Sequence, residues 1–258
     1  MSIELHLSGQ VARVTIDRPE RLNAIDRQAA NRLASIWDEI EKNTRIRCVV
    51  LTGAGKKAFS AGADLKDTGG PSGVAYWRDI IDLSFQGIGL RTTLPIPIIA
   101  RVNGMALGGG FEMVLGCDII IAAETAWFAL PEAKVGRVPL DGGMVTLPRV
   151  LPRNIALGMM LTGRRITASE MACYGLVNAV VPMEQLDEET DRWVADILSS
   201  APLSCRAIKS VVRDTAHLPI HEAYSRPSRL LEAALTSADA EEGVAAFRDK
   251  RSPVWQGR

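Results

Sequence analysis

Leu94 to Asp118 reads LPIPIIARVNGMALGGGFEMVLGCD, and the fold class is decided in this stretch. Ile96-Pro97-Ile98-Ile99-Ala100 has the pattern of a buried β-strand. Asn103-Gly104 turns the chain, and Gly108, Gly109 and Gly110 follow. Phe111-Glu112-Met113-Val114-Leu115 then starts a helix. A strand that passes through glycines into a helix leaves unpaired N–H groups at the helix N-terminus. Glycine lets a ligand approach them, because no Cβ stands in the way. Such a site holds negative charge, as phosphate or as an oxyanion formed during a reaction. Glu112 lies in the first turn, and a carboxylate there would repel a phosphate. The pair points to carbonyl chemistry. The plainer alternative is a tight turn followed by an acid that favours the helix dipole.

Outward from this stretch, strands and helices alternate. Ile3–Leu7 and Val11–Ile16 form a hairpin around Ser8-Gly9-Gln10. Asp26 caps a helix to about Lys42, with Leu33, Ile36, Trp37 and Ile40 on its apolar face. Cys48–Leu51 is a short buried strand. A Gly/Pro/Ser loop from Thr68 to Gly73 precedes a helix over 75–91. Asp118–Ala122 and Trp127–Leu130 are further strands, the second ending at Pro131-Glu132. Pro139–Gly143 turns into a helix. From Arg153 onward helices dominate (153–161, 168–173, 184–198, 204–215, 220–235, 238–251), with one strand at Leu176–Val181. This is an α/β core over residues 1–200 followed by a helical region over 201–258.

Of 258 residues, 47% are hydrophobic and 23% charged, and thirty acidic side chains balance thirty basic ones. That balance gives no electrostatic argument for nucleic acid or membrane as partner. The start, MSIELHLSGQ, lacks the charged head and apolar core of a signal peptide. Cys48, Cys117, Cys173 and Cys205 show no paired spacing and read as core residues of a cytoplasmic protein. Short motifs fail on inspection. Thr52–Lys57 lacks the first glycine of a phosphate loop, and Ser60 lacks the frame of a nucleophile elbow. Pro219 separates His217 from His221, and no acid completes a metal set. What remains is a constellation of backbone donors near Ala63 and Gly109 with two carboxylates, Glu112 and Glu132. Two N–H groups hold an oxyanion, and two carboxylates tuned apart act as acid and base on adjacent carbons.

FSAGADLK (59–66), VNGMALGGGFEMVLGCD (102–118) and FALPEAKVG (128–136) resemble the crotonase, or enoyl-CoA hydratase/isomerase, superfamily. The similarity runs from TIDRPERLNAID (15–26) through GRRITASEMACYGLVNAVVP (163–182) to KRSPVWQGR (250–258). The resemblance implies a spiral of ββα units and a C-terminal helical region that builds homotrimers or dimers of trimers. It implies an acyl-CoA thioester as substrate, with CoA part of the substrate and no separate cofactor or metal. Ala63 and Gly109 match the oxyanion donors, each worth about 3–4 kcal/mol to the transition state. Ala24, Ala61, Asp64, Leu65, Lys66 and Leu140 match the substrate-binding segments, and Lys250 matches a lysine, often from a neighbouring subunit, that approaches the CoA phosphates.

Hydratases of the family carry glutamate at both positions matched by Glu112 and Glu132. The implied reaction is reversible addition of water to a trans-2-enoyl-CoA. Glu132 exchanges the α-proton, and Glu112 activates the water. One segment departs from the pattern. Pro139-Leu140-Asp141-Gly142-Gly143 stands where hydratases have PGAGG, placing Leu140 against the water position and Asp141 close by. Asp141 reads either as an isomerase acid or as the N-cap of the next helix. WFALPEAK, MMLTGRR and KRSPVWQGR also resemble carnitinyl-CoA dehydratases, whose cationic acyl group would favour aromatic faces or a carboxylate; Tyr76, Trp77, Phe85 and Asp141 are the candidates. A non-catalytic acyl-CoA-binding protein is the remaining alternative, and it would need neither glutamate.

Overall fold

The computed structural model describes residues 2–67, 69, 73–78, 88, 91 and 93–258. Most of the expected 68–73 loop, Phe85, and much of the expected 75–91 helix lie outside those residues; the helical turn Gly73–Arg78 (α2) is described.

β1 (Ile3–Ser8) and β2 (Val11–Ile16) pair antiparallel as the hairpin expected. α1 (Arg27–Lys42) follows, and the Asp26 carboxylate accepts from the Ala29 N–H to cap it. Its face of Ala29, Leu33, Ile36, Trp37 and Ile40 is at most 1% exposed. Each large aliphatic side chain buried this fully stabilises by about 1.5–3 kcal/mol. β3 (Cys48–Gly53), β5 (Ile98–Val102), β7 (Ile119–Ala123) and β10 (Ala179–Val181) continue the sheet in parallel, in the order β1-β2-β3-β5-β7-β10. Their near-continuous apolar runs fit strands covered on both faces.

A second sheet has the order β4-β6-β8-β9, built from Ala58–Ser60, Met105–Leu107, Trp127–Ala129 and Ile166–Thr167. The chain leaves the large sheet at β3, β5 and β7 and each time adds the next strand, β4, β6 or β8, to the small one. That is the ββα rhythm, wound three times. Gly104 sits at one of these corners; a Cβ there would lie 2.4 Å from the Lys57 carbonyl oxygen. β4, β6 and β8 run parallel and adjacent. The segments leaving their C-terminal ends therefore lie side by side, and the candidate site is built from those segments.

α3 (Gly109–Leu115), α4 (Gly143–Val150), α5 (Arg153–Thr162), α6 (Ala168–Cys173), α7 (Leu186–Ser199) and α8 (Pro202–Thr215) follow the expected positions within a few residues. The expected 220–235 helix is two helices, α9 (Ile220–Ser225) and α10 (Arg229–Leu235). Pro227 disfavours the helical conformation at Arg226, and Ser228 caps the restart by accepting from the Leu231 N–H. In α11 (Ala238–Asp249), buried Asp239 accepts from the Gln256 and Gly257 N–H groups at 2.6 and 2.8 Å, holding the tail against the helix. No helix among the described residues is long and apolar enough to cross a membrane.

Candidate active site

After β4 the chain passes through Ala61, Gly62, Ala63 and Asp64. The Ala61 N–H bonds the Leu22 carbonyl at 2.9 Å. Ile25 then forms a parallel bridge with Ala63, its N–H to Gly62 O and its carbonyl from the Asp64 N–H, both 2.8 Å. In this pattern the flanking peptides carry the bonds, so the N–H of Ala63 itself faces away from Ile25. After β6, Gly108 adopts φ +55° and Gly109 starts α3, where its N–H has no intrahelical acceptor. A Cβ on Gly62 would lie 2.8 Å from the Gly109 nitrogen. The segments bearing the two expected oxyanion donors are thus packed together, at a spacing only glycine permits.

Glu112 is 3% exposed, and its Oε1 accepts from the Gly143 N–H at 2.8 Å. Burial pushes its carboxyl up to about 8, the charges of Asp141 and Glu132 add to the rise, and the N–H groups of Gly143 and Asp141 oppose it. Glu132 opens a 3-10 turn after β8. Burial raises its carboxyl too, with a smaller push from Asp141. Its Oε1 sits 2.9 Å from where a Cβ on Gly108 would stand, and its buried Oε2 has no hydrogen-bond partner among the described residues. The two glutamates, from adjacent strand ends, are within electrostatic reach of each other, Glu132 beside Gly108 and Glu112 beside Gly143.

Asp141 is 8% exposed, and its Oδ1 accepts the Tyr76 hydroxyl at 2.5 Å. It does not cap α4: Gly142 holds that place, at φ +124°, with no side-chain bond. Its carboxylate belongs with Glu112 and Glu132. Leu140 is half-buried next to it.

Asp64 and Lys66 line a groove of about 580 Å³ together with Arg18, Arg21, Arg27 and two further aspartates. Leu65 is 63% exposed beside it, whereas Ala24 is buried and Ala61 half-buried behind it. Three aspartates offset its four cations, and Arg18 and Arg27 are paired with them, so Arg21 and Lys66 give the groove its anion-binding chemistry. Lys250 does not line the groove of its own chain, as suits a lysine expected from a neighbouring subunit; it caps the end of α11 with a left-handed backbone, φ 53°. Among the described residues no His, Cys, Asp or Glu cluster is arranged to hold a metal ion.

Sequence reasoning passed over the residues that shape the loops. Asn23 is fully buried, and with Leu22 it makes two successive left-handed residues, φ 53° and 56°. Its Nδ2 donates to the carbonyls of Ala54 and Ala58 at 3.0 and 2.8 Å, and its Oδ1 accepts from the Arg18 N–H at 3.0 Å. Asn103 Nδ2 reaches the same Ala58 carbonyl at 2.9 Å. Ser60 Oγ donates to the Asn23 carbonyl at 2.8 Å and accepts from the Gly62 N–H at 3.1 Å. The available signal was polar residues at chain corners, where a buried amide replaces missing ladder bonds.

Comparison with known proteins supplies a second line. The model of the family described as enoyl-CoA hydratase/isomerase matches residues 6–258. Proteins named carnitinyl-CoA dehydratase from Shigella flexneri and Salmonella typhi are each 41% identical over 264 aligned residues, covering 100% of both chains. The structure of an enoyl-CoA hydratase from Bacillus anthracis superposes with a TM-score of 0.92 at 34% identity, covering 100% of both chains. One from Mycobacterium tuberculosis superposes at 0.89 with 30% identity, covering 100% of this chain and 99% of that one.

Proposed function

The chain belongs to the enoyl-CoA hydratase/isomerase family, and from that premise we propose that it is a hydro-lyase interconverting a 3-hydroxyacyl-CoA and a trans-2-enoyl-CoA. The observation that carries this reading is the pair of shielded glutamates beside the packed Ala63 and Gly109 segments. In the dehydration direction, the Glu132 carboxylate takes the α-proton. The electron pair moves onto the thioester oxygen, held by the N–H groups of Ala63 and Gly109. The enolate then collapses, the Cβ–O bond breaks, and the hydroxyl leaves as water with the proton of Glu112. Glu132 ends protonated and Glu112 ionised, and hydration is the reverse. A carboxyl raised to about 8 is protonated at neutral pH, as a proton donor to a leaving hydroxyl requires. The groove's Arg21 and Lys66 take the CoA phosphates, and no resident cofactor takes part.

A second reading concerns the acyl group. Asp141 adds a third shielded carboxylate, joined to the Tyr76 hydroxyl, and both features suit a quaternary ammonium. The relatives named carnitinyl-CoA dehydratase support the same choice. We place the enzyme in the cytoplasm, consistent with four free cysteines. We also read it as a homotrimer or a dimer of trimers, consistent with Ile208, Val212, Leu235 and Phe247 standing at least 65% exposed on the C-terminal helices.

The test is the loss of conjugated-thioester absorbance on mixing with crotonyl-CoA and, separately, crotonobetainyl-CoA. Loss with either one supports the hydro-lyase, and a preference for crotonobetainyl-CoA of at least tenfold in kcat/KM supports the cationic acyl group. Stable absorbance with both, alongside tight CoA-ester binding, would overturn the reading in favour of a binding protein.

A further inference from the structure

Arg18 is neither among the glutamates nor on the donor loops, yet its guanidinium spans the two chain segments that aim Ala63. Its side chain is 15% exposed. Nη1 donates to the Ala24 carbonyl at 2.6 Å. Nη2 lies 2.9 Å from Asp26 Oδ2 and 3.4 Å from Asp64 Oδ2. Ala24 and Asp26 flank Ile25, and Asp64 follows Ala63. The guanidinium therefore closes over the Ile25–Ala63 bridge from the side, touching the residue before Ile25, the residue after it, and the residue after Ala63. The bridge itself has two hydrogen bonds, and the residue between them, Ala63, is exposed, with no side chain packed over it to hold its peptide. Asp26 also caps α1 through the Ala29 N–H, so the clasp ties the Asp64 side of the loop to the end of a packed helix.

We propose that Arg18 is a positioning residue for the oxyanion donor: it holds the 61–64 segment against Ile25 so that the Ala63 N–H meets the thioester oxygen. This rests on the reading of Ala63 as a donor. A preorganised donor stabilises charge only where the developing oxyanion sits, and a shift of about 1 Å costs on the order of 10²-fold in rate. The competing role is simple attraction of CoA phosphate by another groove cation, which would act on binding and leave the chemical step unchanged.

The two roles separate in steady-state kinetics. Arg18→Gln is expected to lower kcat by about 10- to 100-fold, with free-CoA affinity changed less than threefold. Asp64→Asn, which leaves the arginine in place, is expected to lower kcat in the same direction, and the double variant to fall no further than the worse single one, as expected for two groups in one contact. A loss confined to KM and CoA affinity, or two kcat effects that multiply, would overturn the proposal. Should Arg18→Gln fail to fold, Asp64→Asn and Arg18→Lys carry the test, since either must lower kcat if the clasp matters. Bound acetoacetyl-CoA, whose enolate absorbs in the near ultraviolet, checks the premise separately. No enolate enrichment in the wild type would remove the oxyanion reading and this proposal together. Enrichment that persists in full in Arg18→Gln would remove the proposal alone.

Discussion

Glu112 stands on a helix with one carboxylate oxygen fixed by the Gly143 N–H, whereas Glu132 opens a short turn and keeps a buried oxygen without a partner among the described residues. Identical side chains thus sit in unlike surroundings. The held acid suits a group that orients water and hands over a proton along a fixed line. The acid with an open oxygen suits a group that must meet a carbon. Environment rather than residue type divides the labour between them.

The sharpest way to break this comparison is to neutralise each acid in turn. Glu112→Gln and Glu132→Gln are each expected to lower turnover by roughly 10²–10⁴-fold. They should part on exchange of the α-proton of a bound acyl-CoA into heavy water, followed by NMR: Glu132→Gln loses the exchange and Glu112→Gln keeps it. The opposite pattern would exchange their roles.

A smaller effect is expected at the glycine between them. In Gly108→Ala the new Cβ would lie 2.9 Å from Glu132 Oε1, and about 10²-fold of kcat should go with the displaced carboxylate. The positive-φ backbone, at ψ −128° outside the left-handed helical region, adds a stability cost of about 1–3 kcal/mol. Gly136→Ala is the control: its φ is also positive, +69°, with nothing within 4 Å of the added methyl. It should lose no more stability in thermal melts and keep its turnover; equal kinetic losses would show that strain alone is responsible.

The last effect is thermodynamic and is read in stability, not in turnover. The folded state raises Glu112 from 4.5 to about 8. Between those values the native chain keeps a proton that the unfolded chain has released, so stability falls as pH rises, by up to about 1.4 kcal/mol per pH unit. Below pH 4.5 both states are protonated and the effect vanishes. The melting temperature of Glu112→Gln should therefore match the wild type near pH 4 and exceed it increasingly up to pH 8. A constant gap would mean that burial does not hold the proton.

Much of this was legible in the sequence because the decisive stretch combines a long apolar run, three glycines and a first-turn acid. Gly109 and Glu112 follow from that local pattern. Of the small sheet β8 was read, as Trp127–Leu130; its other strands, of two or three residues, are too short to show alternation. Glu132 was visible mainly through family resemblance; its neighbour Pro131 gives the local look of an ordinary loop. Asp141 had two readings, and only the start of the helix, with Gly142 at its N-cap, removes the capping one. The break at Pro227 was readable but was outweighed by the apolar spacing on either side. Arg18 and Asn23 were hidden because their partners lie far along the chain.

The left-handed corner at Leu22 and Asn23 has a consequence in time. Each such residue costs about 1–2 kcal/mol where it stands, and the bonds that offset the cost come from Ala54, Ala58 and Ser60, 31, 35 and 37 residues downstream. Local bonds of Leu22 and Asn23 to Pro19 and Arg18 reward the corner in part, but the distant ones need a long loop closed first. A refolding chain therefore forms its hairpin and helices early and this corner late. Its circular dichroism should recover before it turns over substrate.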